Sequence, residues 1–251
     1  MKKDVCWIFS TYNETENSYF WKNLDLLTIR QHSFIVVDGG STDGTMKKLV
    51  DRGITPLVCP WTTRGQRYDY GIKHSTARDL IFVHPRTLLP EPSISQAEVL
   101  PLTHDWGAFT HSFDTQHVLL QFTSWWSNRV RGDLRGIYYL DHILWARRSV
   151  LMKAQGFPHA AIFEDTIFCK NLLAFGKPIR LEVITVTSAV RFKRNGLVIQ
   201  ILKNQLAKFK YYFGLNIDEI NSHYESGLEL NGERSNHGQQ AAAAEPPSDR
   251  T

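Results

Sequence analysis

Glu164 and Asp165 stand side by side in Phe163-Glu164-Asp165-Thr166, at the head of a predicted helix. Two carboxylates this close raise one another's pKa, and a carboxyl group of raised pKa suits general-base work. The plainer reading is a helix N-terminus whose dipole favours acids. Four further polar strings follow short apolar runs: Ser10-Thr11-Tyr12-Asn13-Glu14, then Asp38-Gly39-Gly40-Ser41-Thr42-Asp43-Gly44-Thr45, then Arg64-Gly65-Gln66-Arg67 with Asp69, then His84-Pro85-Arg86-Thr87. Any one of them is accounted for by a loop and a cap. Four in succession, with glycines that let a ligand approach the backbone, point to a binding site. Its chemistry is bounded by what is missing. No lysine follows the glycines as a phosphate-binding GxxxxGK[ST] loop needs, and there is no GxGxxG. Gly39-Gly40-Ser41-Thr42-Asp43 fails the GxSxG nucleophile elbow at its last position. Neither HExxH nor a Cys/His cluster with metal spacing occurs. Hydride, acyl-serine and zinc chemistry are disfavoured.

These strings need strands to hold them. Val5-Cys6-Trp7-Ile8-Phe9, Phe34-Ile35-Val36-Val37, residues 54–58 and Leu80-Ile81-Phe82-Val83 are apolar runs of the length of buried strands. Between them, residues 15–31, 43–52 and 64–77 read as helices, the second capped by Thr42 or Asp43. Strand–helix alternation predicts a doubly wound α/β fold with a mostly parallel central sheet, whose ligands gather at the carboxyl ends of the strands. Farther on, residues 106–113 and 179–186 alternate as strands. Residues 118–130 look helical, and 143–146 are short and apolar. Residues 164–175 form a helix closed by Gly176 and Pro178.

The chain has 251 residues, of which 42% are hydrophobic, enough for a full core without staples. A net charge of +4 is compatible with anionic small molecules or an acidic membrane surface, and too small to argue for nucleic acid. Three scattered cysteines, Cys6, Cys59 and Cys169, fit a reducing compartment. The five apolar residues after Asp4 are too few for a signal peptide, and no run approaches the ~18 apolar residues of a membrane span. Residues 231–251 lack Val, Ile, Leu, Met, Phe, Tyr and Trp and are expected to be a disordered tail behind a domain at 1–230.

Taken together, the strings resemble a family-2 glycosyltransferase of the GT-A fold, across nearly all of residues 4–225. The resemblance implies a GT-A-like, Rossmann-like three-layer domain. Thr11, Tyr12 and Glu14 would open a nucleotide site in which Asp38 meets the base edge and Tyr12 its face, with Gly40 and Ser41 beside them. Arg64 and Gln66 would pass the diphosphate, although Asp69 stands where an asparagine is usual. Gly156-Phe157-Pro158 followed by Phe163-Glu164-Asp165 resembles the acceptor-side segment, with Asp165 the closer match to the catalytic base, Glu164 its rival and Asp141 a third candidate. Residues 186–192 and Tyr211-Tyr212-Phe213-Gly214 are similar to a small, soluble bacterial subgroup. The implied reaction moves a sugar, with inversion, from a UDP- or GDP-sugar to a hydroxyl of a glycan, lipid or small molecule. The implied location is the cytoplasm, at the inner face of the membrane.

One departure bears on mechanism. The family usually ends its fourth strand with Asp-x-Asp or His-x-Asp, whose last carboxylate holds the metal on the diphosphate. Here Arg86 follows His84 and Pro85, so a divalent metal is not expected to be essential. The same departure favours a rival reading, a catalytically impaired nucleotide-sugar binder, which the intact Glu164-Asp165 pair opposes. A nucleotidyltransferase is a third reading, disfavoured because no basic glycine-rich loop follows the first strand. Residues 196–213 are an amphipathic helix with Leu197, Val198, Ile201, Leu202, Leu206, Phe209 and Phe213 in a stripe and Lys203, Lys208 and Lys210 elsewhere. The stripe packs on the core, or the helix lies on a membrane surface, helped by Trp125 and Trp126 followed by Arg129 and Arg131, and both readings can hold for one helix.

Overall fold

The computed structural model describes residues 4–60, 63–217 and 220–221. The predicted tail at 231–251 lies outside them. Strand β1 (Val5–Thr11) is followed by α1 (Ser18–Ile29), β2 (Ser33–Asp38), α2 (Thr45–Val50), β3 (Leu57–Val58), α3 (Arg64–His74) and β4 (Asp79–Val83). Then come β5 (Thr87–Leu88), α4 (Glu91–Glu98), β6 (Trp106–Phe113), α5 (Val118–Trp126) and a π-helical segment (Ser127–Leu134). A 3-10 turn (Leu140–His142) leads to β7 (Leu144–Arg147), α6 (Arg148–Lys153), α7 (Glu164–Leu173), β8 (Ile179–Thr187), α8 (Val190–Asn195) and α9 (Leu197–Tyr212).

The strands form one sheet in the order β3-β2-β1-β4-β7-β6-β8-β5. The predicted parallel half is present: β1 pairs parallel with β2 and β4, and β2 with β3. The second half is mixed. β7 runs antiparallel to β4 and β6, β8 lies parallel to β6, and the two-residue β5 closes the edge against β8. Alternate residues of β1 feed two separate cores. Cys6 and Ile8 pack with Tyr68 and Ile72 of α3 and with Phe168 and Leu172 of α7. Val5, Trp7 and Phe9 pack with Phe20, Leu24 and Leu27 of α1 and with Ile94 of α4. A strand buried on both faces must be apolar throughout, which is why its sequence reads as a run rather than an alternation.

Several expectations are corrected. The third strand shrinks to Leu57–Val58, since Pro56 has no N–H for a ladder and also restricts Thr55. Helix α2 starts later than expected, after Gly44, yet Asp43 still caps it by accepting from the Thr45 N–H at 3.0 Å. The helix expected at 118–130 changes at Trp126 into the π-helical segment. The stripe of α9 is not its packing face. Gln200 and Ala207 are buried, whereas Val198, Leu202, Leu206, Phe209 and Phe213 are exposed, as are Phe122, Trp125 and Trp126 of α5. Among the described residues no helix is long and apolar enough to cross a membrane.

Gly107 sits where β6 is squeezed between β7 and β8. A Cβ there would lie 2.1 Å from the Ile179 carbonyl oxygen and 2.9 Å from Trp145 Nε1. Neither neighbour can give way without moving the sheet. Gly107→Ala is expected to cost about 1–3 kcal/mol, as overpacked cores do, read as a lower midpoint in urea unfolding at unchanged slope.

Candidate active site

Strands β1 and β2 end in register, Thr11 opposite Asp38, and their loops are sewn together. Asp38 is fully buried. Its Oδ1 accepts from the Gly40 and Ser41 N–H groups at 2.9 and 2.7 Å, and its Oδ2 from the Ser41 and Thr11 hydroxyls at 2.6 and 3.2 Å. Asn13 N–H donates to the Ser41 hydroxyl at 2.8 Å, and Thr42 N–H to Asn13 Oδ1 at 2.9 Å. Glu14 N–H donates to Thr45 Oγ1 at 2.8 Å. Gly40 turns with φ +87°, a conformation natural to glycine. Tyr12 lies half-buried in this bed. Both carboxylate oxygens of Asp38 are thus taken up in shaping the loop, and a base that met them would have to displace Ser41 or Thr11.

Positive charge collects at the end of β4. Arg86 Nε lies 4.0 Å from Glu14 Oε2, which also accepts from Asn17 Nδ2 at 2.8 Å. Burial raises the Glu14 carboxyl pKa, against the pull of Arg86. His84 Nδ1 accepts the Arg86 N–H at 3.2 Å, which places its remaining proton on Nε2 when the ring is neutral. Burial, and then the charges of Arg64, Arg86 and Arg191, hold this imidazole far below its ordinary pKa. His84 is therefore a neutral hub among three guanidinium groups. Arg191 arrives from α8 because the Ser188 N–H bonds the Arg86 carbonyl at 3.0 Å. Gln66 serves the fold locally. With Thr63 it closes the capping box of α3, its Oε1 accepting the Thr63 N–H at 2.8 Å.

The acids lie on the other side of this hub. Arg64 Nε donates to Glu164 Oε1 in an ion pair whose carboxylate is 1% exposed. Gly65 lets α3 approach this segment, its Cα close under the Pro158 carbonyl. Asp165 Oδ2 accepts from the Leu140 N–H at 3.2 Å, and its Oδ1 from Thr166 N–H at 2.7 Å. Burial, then the charge of Glu164, pushes the Asp165 carboxyl up to about 7. Asp141 has the opposite fate. Burial raises its pKa, but His111 and His142 outweigh burial and hold it well below the carboxylate range. His142 Nδ1 is 2.8 Å from Asp141 Oδ1 and His111 Nε2 is 3.6 Å from Oδ2. Burial keeps His111 down at about 4, so that ring is neutral at pH 7.

Arg64, Arg86, Arg191 and Asp141 all act electrostatically on His84. Glu164 and Asp165 join through Arg64. Thr11, Tyr12, Asp38, Gly40 and Ser41 form the neighbouring loop bed, linked to the cluster by Glu14. Sequence reasoning leaves Arg191, His111 and His142 out of the site. A histidine inside an alternating strand, as at His111, is the available signal, since a buried position seldom takes one without a partner.

No family model matches the chain, and no curated protein does. Solved structures do match its fold. The mannosyltransferase PcManGT from Pyrobaculum calidifontis, in complex with GDP-Man and Mn2+, shares 16% identity over 98% of this chain and 77% of its own, with a TM-score of 0.61. TarS 1-349 of S. aureus shares 16% identity over 96% of this chain and 78% of its own, at a TM-score of 0.57. Glucosyl-3-phosphoglycerate synthase from Mycobacterium tuberculosis, with Mn2+ and UDP-Glc, shares 14% identity over 73% of this chain and 69% of its own, at 0.53. The chain thus has the GT-A glycosyltransferase fold, with a mostly parallel central sheet.

The raised Asp165 pKa has a consequence for stability. Its folded value of about 7 exceeds the unfolded value of about 3.9. Between the two the folded state holds the proton more tightly, so this group's contribution to stability falls as pH rises from about 4 to about 7 and stays low above. Asp165→Asn is therefore expected to raise the melting temperature near pH 8 and to leave it almost unchanged near pH 4. Equal shifts at both pH values would show that Asp165 does not carry this proton.

Proposed function

We propose that the protein is a family-2 glycosyltransferase that moves a sugar from a nucleoside-diphosphate sugar to an acceptor hydroxyl with inversion. The observation that carries this reading is Asp165: a buried carboxyl near pKa 7, set beside a Glu164 that is paired with Arg64. A base poised near neutral pH is what abstraction of a hydroxyl proton needs. The solved neighbours' complexes with GDP-Man, UDP and UDP-Glc support a nucleotide-sugar donor.

In the proposed reaction the acceptor oxygen attacks the anomeric carbon from the face opposite the leaving group. Its proton passes to Asp165, the bond from the anomeric carbon to the diphosphate oxygen breaks, and nucleoside diphosphate departs. The loop bed of Thr11, Tyr12, Asp38, Gly40 and Ser41 would seat the nucleoside. Arg64, Arg86 and Arg191 would meet the charge that grows on the diphosphate, a stabilisation felt most in the transition state. Where a carboxylate would hold a metal on the diphosphate, this chain has Arg86, which repels a cation. A guanidinium can meet a diphosphate directly through paired hydrogen bonds. The Arg86–Glu14 contact favours the rival reading, a site that binds but no longer turns over, and binding and turnover measured side by side separate the two.

Calorimetry is expected to show UDP or GDP binding that survives a chelator and weakens in Arg86→Ala. Binding that vanishes on chelation would overturn the metal-independent site. In a donor-turnover assay, Asp165→Asn is expected to lose about 10²–10⁴ in rate with donor affinity retained. Full activity in that variant would move the base to Asp141 or Glu164, and binding without turnover in the unaltered protein would establish the rival.

A further inference from the structure

Two cations on the acceptor side remain outside this scheme. Arg131 projects from the π-helical segment and Lys208 from α9, and both address one ring: the guanidinium carbon is 3.2 Å from the centroid of Tyr139 and Lys208 Nζ 5.7 Å from it. Tyr139 immediately precedes Leu140, whose N–H holds Asp165, and Asp141 follows. The partners of Arg131 are neutral. Its Nε donates to the Ile137 carbonyl at 3.3 Å and its Nη2 to the Ser127 hydroxyl. Lys208 has no ion pair among the described residues. Burial, and then repulsion from Arg131, pushes its ammonium down to about 8. The carboxylates of Asp141 and Asp165 pull it the other way, and Asp141 is drawn by Arg131 as well. Neither cation is in an ion pair among the described residues, although both lie over the Tyr139 ring, so an anion that entered there would be met by both.

We propose that Arg131 and Lys208 form an anion subsite beside the catalytic acids, and that the acceptor carries a phosphate monoester next to its reacting hydroxyl. This rests on the glycosyl-transfer reading for the word acceptor, not for the anion. A phosphate monoester brings a charge of about −1.5 to −2 at pH 7, which matches two cations better than a carboxylate does. An arginine fork and a point-charge ammonium suit its three oxygens. The phosphate could belong to a soluble polyol phosphate or to a lipid headgroup, the latter because α9 presents Leu202, Leu206 and Phe209 to the outside while Lys208 turns inward.

The test uses the full chain saturated with UDP, so that the diphosphate cluster is occupied. Glycerol 3-phosphate is titrated by calorimetry, with glycerol as the uncharged control. Vesicles of phosphatidylcholine with and without phosphatidic acid form the lipid arm. Glycerol 3-phosphate or the phosphatidic-acid vesicles are expected to bind where the uncharged counterpart does not. That binding should fall about tenfold or more in Lys208→Gln and in Arg131→Gln, the loss of one charge-assisted contact, with UDP affinity unchanged. Binding by the soluble phosphate identifies a soluble source, and binding by the vesicles alone a lipid one. Unaltered phosphate binding in both variants, or no binding in either arm, would overturn the subsite. Failure of UDP itself to bind would overturn the donor reading instead, and the same titration without UDP would still decide the subsite.

Discussion

Arg64 and Glu164 are one hundred residues apart and share an ion pair whose carboxylate is buried. Removing Arg64 would leave that carboxylate inside the protein without its counter-charge, which is strongly destabilising. The first residue of α3 is thereby bound to the first residue of α7, and the parallel half of the fold to the mixed half. The pair also decides the protonation of its neighbour. Because Glu164 takes the Arg64 guanidinium, Asp165 sits beside a second carboxyl group as well as in a dry place, and burial and that neighbour push its carboxyl up to about 7. Had Arg64 faced Asp165, the roles would have been exchanged.

The same reasoning orders the rest of the cluster. His84 among Arg64, Arg86 and Arg191 is kept neutral, so it adds a hydrogen-bond group without adding a fourth charge. Asp141 between His111 and His142 is kept ionised. Acids close to one another in the fold are thus driven to opposite states by what each faces, and the site holds a proton donor-acceptor and a fixed anion side by side. Ile143, at the end of this turn, has φ 54° although it is β-branched and fully buried. Such a backbone is held only by its surroundings, and what it secures is the placement of Asp141 and His142 between β6 and β7.

Local signals make the buried strands and their loops legible in the sequence. The apolar runs of β1, β2 and β4, and the polar strings after them, depend only on neighbours in the chain. Gln66 is ambiguous in the sequence because a capping box and a ligand loop use the same residue types in the same place. The gathering of Arg191 with Arg86 is hidden, since it depends on β8 lying against β5 at the far edge of the sheet. Periodicity correctly groups the apolar residues of α9 on one side. It carries no information about which side turns inward, and here Gln200 and Ala207 do.

The π-helical segment fixes more than local shape. Ser127 meets His142, Asn128 clamps the backbone of His111 through both its amide groups, and Arg131 covers Tyr139. Those three residues can all reach the interior because the wide turns hold more residues than an α-helix would allow in the same length. Loss of a single residue from 127–134 would narrow a wide turn towards ordinary winding and break the present spacing of Ser127, Asn128 and Arg131. In evolutionary terms the segment tolerates substitution on its outer side far better than any change of length, so a one-codon deletion there would be purged where a point mutation would pass.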